Sequence, residues 1–426
     1  MKKLVALILC VLVVLAPIAA WAENITLTMQ VSSGWTDEAD EYLAEKFFEE
    51  TGIRIEFQVV PADQHHDLLK TKLNAGEAPD IFWIQASPLN IYGELDPAKN
   101  CLDMTGAEWA ELMPPARIEA VSYDGKLYGQ AIWNKSISFP IIYNKTLFKE
   151  LGLEVPLTFE AFKDVCQKIK DSDVVPIYEY IADGWHQGLI VCHVGGRIEQ
   201  LMPDVIEKLN TNQLKLKETP FLDALKQAKE LVDLGYYGED YISNIGNDTN
   251  EVLVNREYAM VVGMGNIEAI KRDYPDATDE FGMFLIPLLD NHTSQSDPYG
   301  PAKFASANTK YPDAIKAYFA FLMRPENLQY KLDNSADGWT TLDVTDAAGV
   351  TQNYSEAEKE LMATLTDADY GVVFQNRVKY FNDQWMEYCK DLTSLFLGEM
   401  TAEQVCDSID ERRAAMAKAQ GDPAWQ

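Results

Sequence analysis

The sequence is poor in positive charge and in cysteine, and beyond its first twenty residues it has no long apolar run. Thirty-six Lys and Arg stand against 67 Asp and Glu, a formal net charge of −31. Binding to nucleic acid or to an anionic membrane needs clustered basic side chains that neutralise phosphates, so this deficit argues against both. The acidic residues are spread along the whole chain, which fits a charged, solvated exterior better than one focused cation site. A cationic ligand is the sharper reading of the same composition.

Six cysteines are present. Cys10 lies in the apolar N-terminal run, and Cys101, Cys166, Cys192, Cys389 and Cys406 are widely spaced. No Cys-x-x-Cys pair and no Cys/His cluster has zinc-like spacing. In an oxidising compartment these five leave two readings open, one or two disulfides or buried free thiols. Metal donors are equally scarce. His65 and His66 are adjacent rather than four apart on one helical face, and read as a solvated helix start. His186 and His193 lie seven apart near Cys192 and read as buried or cleft histidines in preference to metal ligands. No Gly-x-Ser-x-Gly elbow occurs, and Gly263-x-Gly265 lacks the rest of a dinucleotide fingerprint. A glycosidase needs two carboxylates at a set separation, but 67 acidic residues supply such pairs anywhere. The expectation is a protein that is not an enzyme and carries no cofactor and no metal.

What is present begins with an export signal. Met1-Lys2-Lys3 precedes an apolar run over 4–20, and Ala20-Trp21-Ala22 supplies a small-x-small cleavage site. That pattern predicts a secretory signal peptide over 1–22, cleaved before Glu23. The run barely reaches the length of a membrane span. Cys10, preceded by Leu9, fits a lipid-attachment site poorly. Cleavage leaves 404 of the 426 residues and removes two lysines, taking the charge from −31 to −33. That length suggests two or three domains, each able to bury a core.

Ile25, Leu27, Met29 and Val31 alternate with polar residues, the period of a half-buried strand. Thr36 is a candidate cap for a following helix carrying Ala39, Leu43 and Phe47, which Thr51-Gly52 ends. Ile53, Ile55, Phe57 and Val59 form a second alternation. A helix over about 63–75 follows, stopped by Asn74-Ala75-Gly76, and then an apolar strand over 81–84. This β-α-β-α-β order reads as parallel strands covered by helices. The pattern then restarts. Tyr123-Asp124-Gly125-Lys126 is a turn between short strands. Residues 139–143 read as a strand that Pro140 confines to a sheet edge or a crossover. Helices with Phe162, Val165 and Ile169, and with Phe221, Leu225 and Ala228, alternate with strands near 174–180, 258–264 and 281–286. Pro312 opens a helix, and the chain from about Pro325 is largely helical.

Several motifs, in order, resemble one family. Ala75-Gly76-Glu77-Ala78-Pro79-Asp80-Ile81 resembles its Ala-Gly-x-x-Pro-Asp-Val, and Asp124-Gly125-Lys126-Leu127-Tyr128-Gly129 its Asp-Gly-Lys-x-Tyr-Gly. Tyr143-Asn144-Lys145 with Phe148, Gly152 and Pro156, and Ala259-Met260 with Gly263 and Gly265, match two further segments. The family is that of the extracellular solute-binding proteins of ATP-driven sugar importers, which includes maltose-binding protein. Asn266 departs from it, since a tryptophan often follows that last glycine. The resemblance implies an α/β, two-lobe periplasmic-binding-protein-like fold of type II with hinge crossovers. Lobe one would hold 23–139 and 303–331, and lobe two 140–302 and 332–426. It implies a monomeric receptor, periplasmic or on the outer face of the membrane. Its partners would be a small-molecule ligand, expected to be a sugar, and the importer's membrane subunits. Ligand would sit in the cleft, on which the lobes close by hinge motion.

Sugars present apolar C–H faces and a rim of hydroxyls, so a sugar site needs aromatic plates with carboxylates and amides around them. Loop and strand-end residues of those types are Trp35 and Asp37 after the first strand, Gln85 after the third, Trp133 near the first crossover and Trp185 after a strand of the second lobe. Gly265 and Asn266, Asp297 and Tyr299, and Trp339 complete the candidate set. Trp83, inside an apolar strand, reads as core. Aromatic plates flanked by Asp37, Glu38, Asp183 and Asp297 would also suit a polyamine through cation–π contacts.

Overall fold

The computed structural model describes residues 25–86, 95–132, 140–263, 267–296, 300–335 and 341–426. The chain divides into two compact units. The first takes Met1–Ile132, Pro301–Ala336 and Asp343–Thr351, and the second Trp133–Gly300, Asp337–Leu342 and Gln352–Gln426. The N-terminal run read as a signal lies outside the described residues.

In the first unit, strand β1 (Thr26–Ser32) is followed by helix α1 (Glu38–Thr51), β2 (Arg54–Val60), helix α2 (Ala62–Ala75) and β3 (Ile81–Gln85). β1 pairs in parallel with both β2 and β3, as the alternation predicts. Leu27, Met29 and Val31 are fully buried. Val59, on the edge strand β2, is 58% exposed. α1 is capped by Asp37 rather than by Thr36. The Asp37 carboxylate accepts from the Ala39 and Asp40 amides, and Asp40 returns the contact to the Asp37 amide in a capping box. Gly52 and Gly76 close the two helices in the left-handed region, at φ 74° and 72°.

Three short strands follow: β4 (Ser122–Tyr123), β5 (Lys126–Leu127) and β6 (Gly129–Gln130). β4 and β5 make a hairpin. Its two turn residues, Asp124 and Gly125, have φ of 47° and 74°, the positive angles a two-residue hairpin requires. Gly129 needs its missing side chain for another reason. A Cβ there would come within 2.8 Å of the Phe304 ring and 2.9 Å of the Lys303 carbonyl. Those residues belong to a strand that returns from far along the chain.

The second unit contains β7 (Ile141–Asn144), β8 (Val175–Tyr178), β9 (Tyr258–Val262) and β10 (Phe281–Phe284), in the order β10-β7-β9-β8. β7 pairs on both sides, so of the two readings of Pro140, a sheet edge or a crossover, the edge is corrected, and the strand is an inner one that follows the chain's first passage between units. Pro140 precedes the first paired residue, where no donor is lost, and its carbonyl accepts the Gly263 amide at 2.8 Å. The helices Phe159–Lys170 and Pro220–Asp233 pack on this sheet with Phe162, Ile169, Phe221 and Leu225 inward. The late helices Trp385–Phe396 and Ala402–Ala419 join the same core through Leu392, Val405 and Ile409. β11 (Ser294–Ser296) pairs in parallel with β13 (Tyr370–Val372), a small strand inside a stretch read as helical.

β12 (Pro301–Ala305) completes the sheet of the first unit. It runs antiparallel to β3 and to β6, giving the order β2-β1-β3-β12-β6. All five described cysteines after the N-terminal run are buried free thiols. Among the described residues no helix is long and apolar enough to cross a membrane.

Candidate functional site

In the first unit the chemistry gathers at the carboxyl ends of the three parallel strands, where open α/β sheets place their ligands. Trp35, half-buried, follows β1, and its amide donates to the Ser32 carbonyl at 3.2 Å. Its ring meets that of His65 edge-on, with centroids 5.2 Å apart. His65, in the first turn of α2, is 3% exposed, so it is not the solvated helix start read from the sequence. Its Nε2 lies 2.8 Å from the Trp83 carbonyl on β3. Burial holds the His65 ring below the ordinary histidine pKa, against the partial opposing effect of that bond. Gln85, at the end of β3, is half-buried and sits opposite Pro301.

Asp37, expected to face a ligand, is committed to the framework. Besides capping α1, its carboxylate accepts from Lys331 Nζ at 2.6 Å and from the Ser335 hydroxyl. Burial pushes its carboxyl up, but Lys331 and Ser335 together hold it below the usual carboxylate value. Lys331 also donates to Asp40 at 2.7 Å. A second lysine, Lys303 on β12, is 7% exposed and lies 4.0 Å from the centroid of the Trp83 ring. Burial pushes its ammonium down to about 8, opposed by nearby Asp40 and reinforced by Lys331.

Lys303 makes stability pH-dependent in a predictable direction. Its pKa falls from 10.5 unfolded to about 8 folded, so between those values the unfolded chain holds more protons and this group's contribution rises with pH. The penalty of burying the charge is complete below about pH 8. Lys303→Met should therefore stabilise the protein relative to wild type by about 1–3 kcal/mol at pH 7. That advantage should shrink toward pH 10.5. Urea unfolding of both proteins at pH 7 and pH 10 tests this, and an equal difference at the two values would contradict it.

The second unit has its own aromatic cluster at the end of β8. Trp185 is half-buried, edge-on to Tyr180 at 6.1 Å and to His186 at 5.3 Å. His186 stacks on Tyr180 at 3.5 Å. Both His186 and Glu179 are fully buried, and the His186 Nδ1 bonds to the Glu179 carboxylate. The loop is held through its backbone, because the Trp185 carbonyl accepts from Trp385 Nε1 at 3.0 Å and from Cys389 Sγ at 3.2 Å. His193 is buried as well. Among the described residues no three His, Cys, Asp or Glu side chains gather to hold a metal. Asp183 accepts the Gly246 amide at 2.9 Å. Trp83 is 3% exposed, as a core strand residue should be.

Trp133, Gly265, Asn266, Asp297, Tyr299 and Trp339 lie outside the described residues. The residue at these strand ends that sequence reasoning passed over is His65. Its signal was available, because a histidine five residues past the end of β2 falls at the strand's carboxyl end. The adjacent His66 and the polar residues around it obscured that placement.

Two α/β units, each with a strand-end aromatic cluster and with the chain passing repeatedly from one unit to the other, define the class of two-lobed binding proteins. Residues 32–329 match the bacterial extracellular solute-binding proteins, and the chain belongs to that family. It is 24% identical over 302 residues to the multiple sugar-binding protein of Streptococcus mutans serotype c, covering 68% of this chain and 70% of that one. Among solved structures, a chitin oligosaccharide binding protein superposes with a TM-score of 0.74 at 18% identity, covering 92% of this chain and all of the other. A sugar transporter from Bacillus licheniformis in complex with stachyose gives 0.71 at 16% identity, over 91% and 99% of the two chains.

Proposed function

We propose that the chain is the extracytoplasmic receptor of an ATP-driven importer. It binds a mono- or oligosaccharide and passes the sugar to the membrane subunits unchanged. The observation that carries this reading is the aromatic edge at the strand ends of each unit, Trp35 with His65 in one and Trp185 with Tyr180 in the other. An apolar sugar face needs such plates, and amide groups such as Gln85 pair its hydroxyls. The relatives named for sugars support the same ligand class. Trp133, Gly265, Asn266, Asp297, Tyr299 and Trp339 complete the proposed contact set. Asp37 does not, because capping and Lys331 already occupy its oxygens.

The export signal over 1–22 would place the mature receptor outside the cytoplasmic membrane, where it acts as a monomer. A cationic solute is the competing ligand. The commitment of Asp37 to Lys331 removes one carboxylate that reading needs. Thermal unfolding with a panel of mono- and oligosaccharides and of polyamines separates the two. A ligand that binds only the folded form raises the midpoint with concentration. Shifts are expected with at least one saccharide, and shifts confined to polyamines would overturn the carbohydrate reading.

A further inference from the structure

Resting on the carbohydrate reading, we propose that His65 is a specificity-determining ligand contact whose Nδ1 accepts a hydrogen bond from a hydroxyl of the bound sugar. The tautomer follows from its surroundings. Nε2 lies 2.8 Å from the Trp83 carbonyl, and a carbonyl only accepts, so Nε2 must carry the proton. Burial keeps the ring neutral at pH 7, which leaves Nδ1 as a bare lone pair. That atom is buried and has no hydrogen-bond partner among the described residues.

A buried acceptor without a donor is costly. A small neutral donor such as a hydroxyl would satisfy it without bringing a further charge into the buried surroundings. The charged groups acting on the ring are His66 and Lys72, both on its own helix and both disfavouring its protonation. Lys72 reaches instead to Gln30 Oε1 at 2.8 Å. From β3 the ring meets the Trp83 carbonyl, and from the loop after β1 it meets the Trp35 ring. The carboxylate of that loop, Asp37, is engaged by Lys331. His65 therefore sits beside the aromatic plate of the first unit with one acceptor to offer, an arrangement that discriminates a sugar bearing a hydroxyl there from an analogue lacking it.

Two substitutions divide the structural bond from the ligand bond. In His65→Gln the side-chain amide can still donate to the Trp83 carbonyl, but the second ring nitrogen is gone. In His65→Phe both are lost. Stachyose and chitotriose are titrated calorimetrically into wild type and both variants, and unfolding is followed without sugar. His65→Gln should keep a midpoint close to wild type while binding the sugar roughly tenfold or more weakly, the scale of one lost bond to a buried partner. His65→Phe should lose both stability and affinity. Wild-type affinity in His65→Gln would overturn the assignment of His65 while leaving the receptor reading intact. Binding of no saccharide of a broad panel by wild type would overturn the receptor reading and this contact with it. Nitrogen-15 spectra of the sugar-free protein give an independent check, and a proton found on Nδ1 of His65 would refute the proposal whatever sugar binds.

Discussion

Replacing Lys331 by methionine is expected to cost the first unit about 3–5 kcal/mol, the usual penalty when one partner of a buried ion network is removed. The Lys331 ammonium donates to Asp37 at 2.6 Å and to Asp40 at 2.7 Å, and all three side chains are nearly inaccessible. Without it, two carboxylates lie buried together at the start of α1. Lys303, whose own pKa burial has pushed down to about 8, cannot replace it at low cost. The loss should be smaller in acid. Asp37 has a folded pKa below the ordinary aspartate value of 3.8, so its stabilising contribution is complete above that value and disappears as pH falls through the folded pKa. Urea unfolding at pH 7 and pH 3 checks both parts. A loss below about 1 kcal/mol at pH 7 would show that the network contributes only as much as an exposed ion pair.

Truncating Trp185 should act on binding rather than on the fold. The loop is anchored by the Trp185 carbonyl, which accepts from Trp385 and Cys389, and those bonds do not involve the indole. The ring is half-buried and touches Tyr180 and His186 by its edge. A partly exposed ring beside two aromatics can give its free face to a sugar. Trp185→Ala is therefore expected to weaken sugar binding by about 2 kcal/mol, roughly thirtyfold in Kd. Cooperative unfolding should be retained, with a stability loss of about 1 kcal/mol. Calorimetric titration with stachyose and a chitin oligosaccharide measures the first, and unfolding without sugar the second. Unchanged affinity would remove Trp185 from the site.

The motifs that made the family legible turn out to hold the framework. Asp80 accepts from the amide and hydroxyl of Thr28 and from the Thr309 hydroxyl, tying β1 to the returning segment. Asn144 caps the next helix through the Leu147 amide and donates to Asp279 at 2.6 Å. Gly129 admits the Phe304 ring. Such residues announce themselves because one geometry allows one side chain, and short local pattern carries that information. The strand and helix order of both units was readable for the same reason, since alternation and capping are local.

Three features were not local and were misread. The inner position of β7 depends on pairing with β9 and β10, more than a hundred residues downstream, whereas Pro140 is only a local signal. Asp37 is acidic and near a strand end, as a sugar ligand would be, but its partner Lys331 is 294 residues away. His65 is buried because Trp35 and Trp83 come from two other strands. Residues of this kind are placed by convergence of distant strand ends, and spacing along the chain does not encode it.

The most direct test is equilibrium titration of the protein with a broad panel of mono- and oligosaccharides, followed by chromatography of the recovered sugar. Saturable binding of at least one saccharide is expected, with the sugar returned intact after prolonged incubation. Binding of none across a broad saccharide panel, or release of shortened sugar at catalytic rates, would contradict the receptor reading.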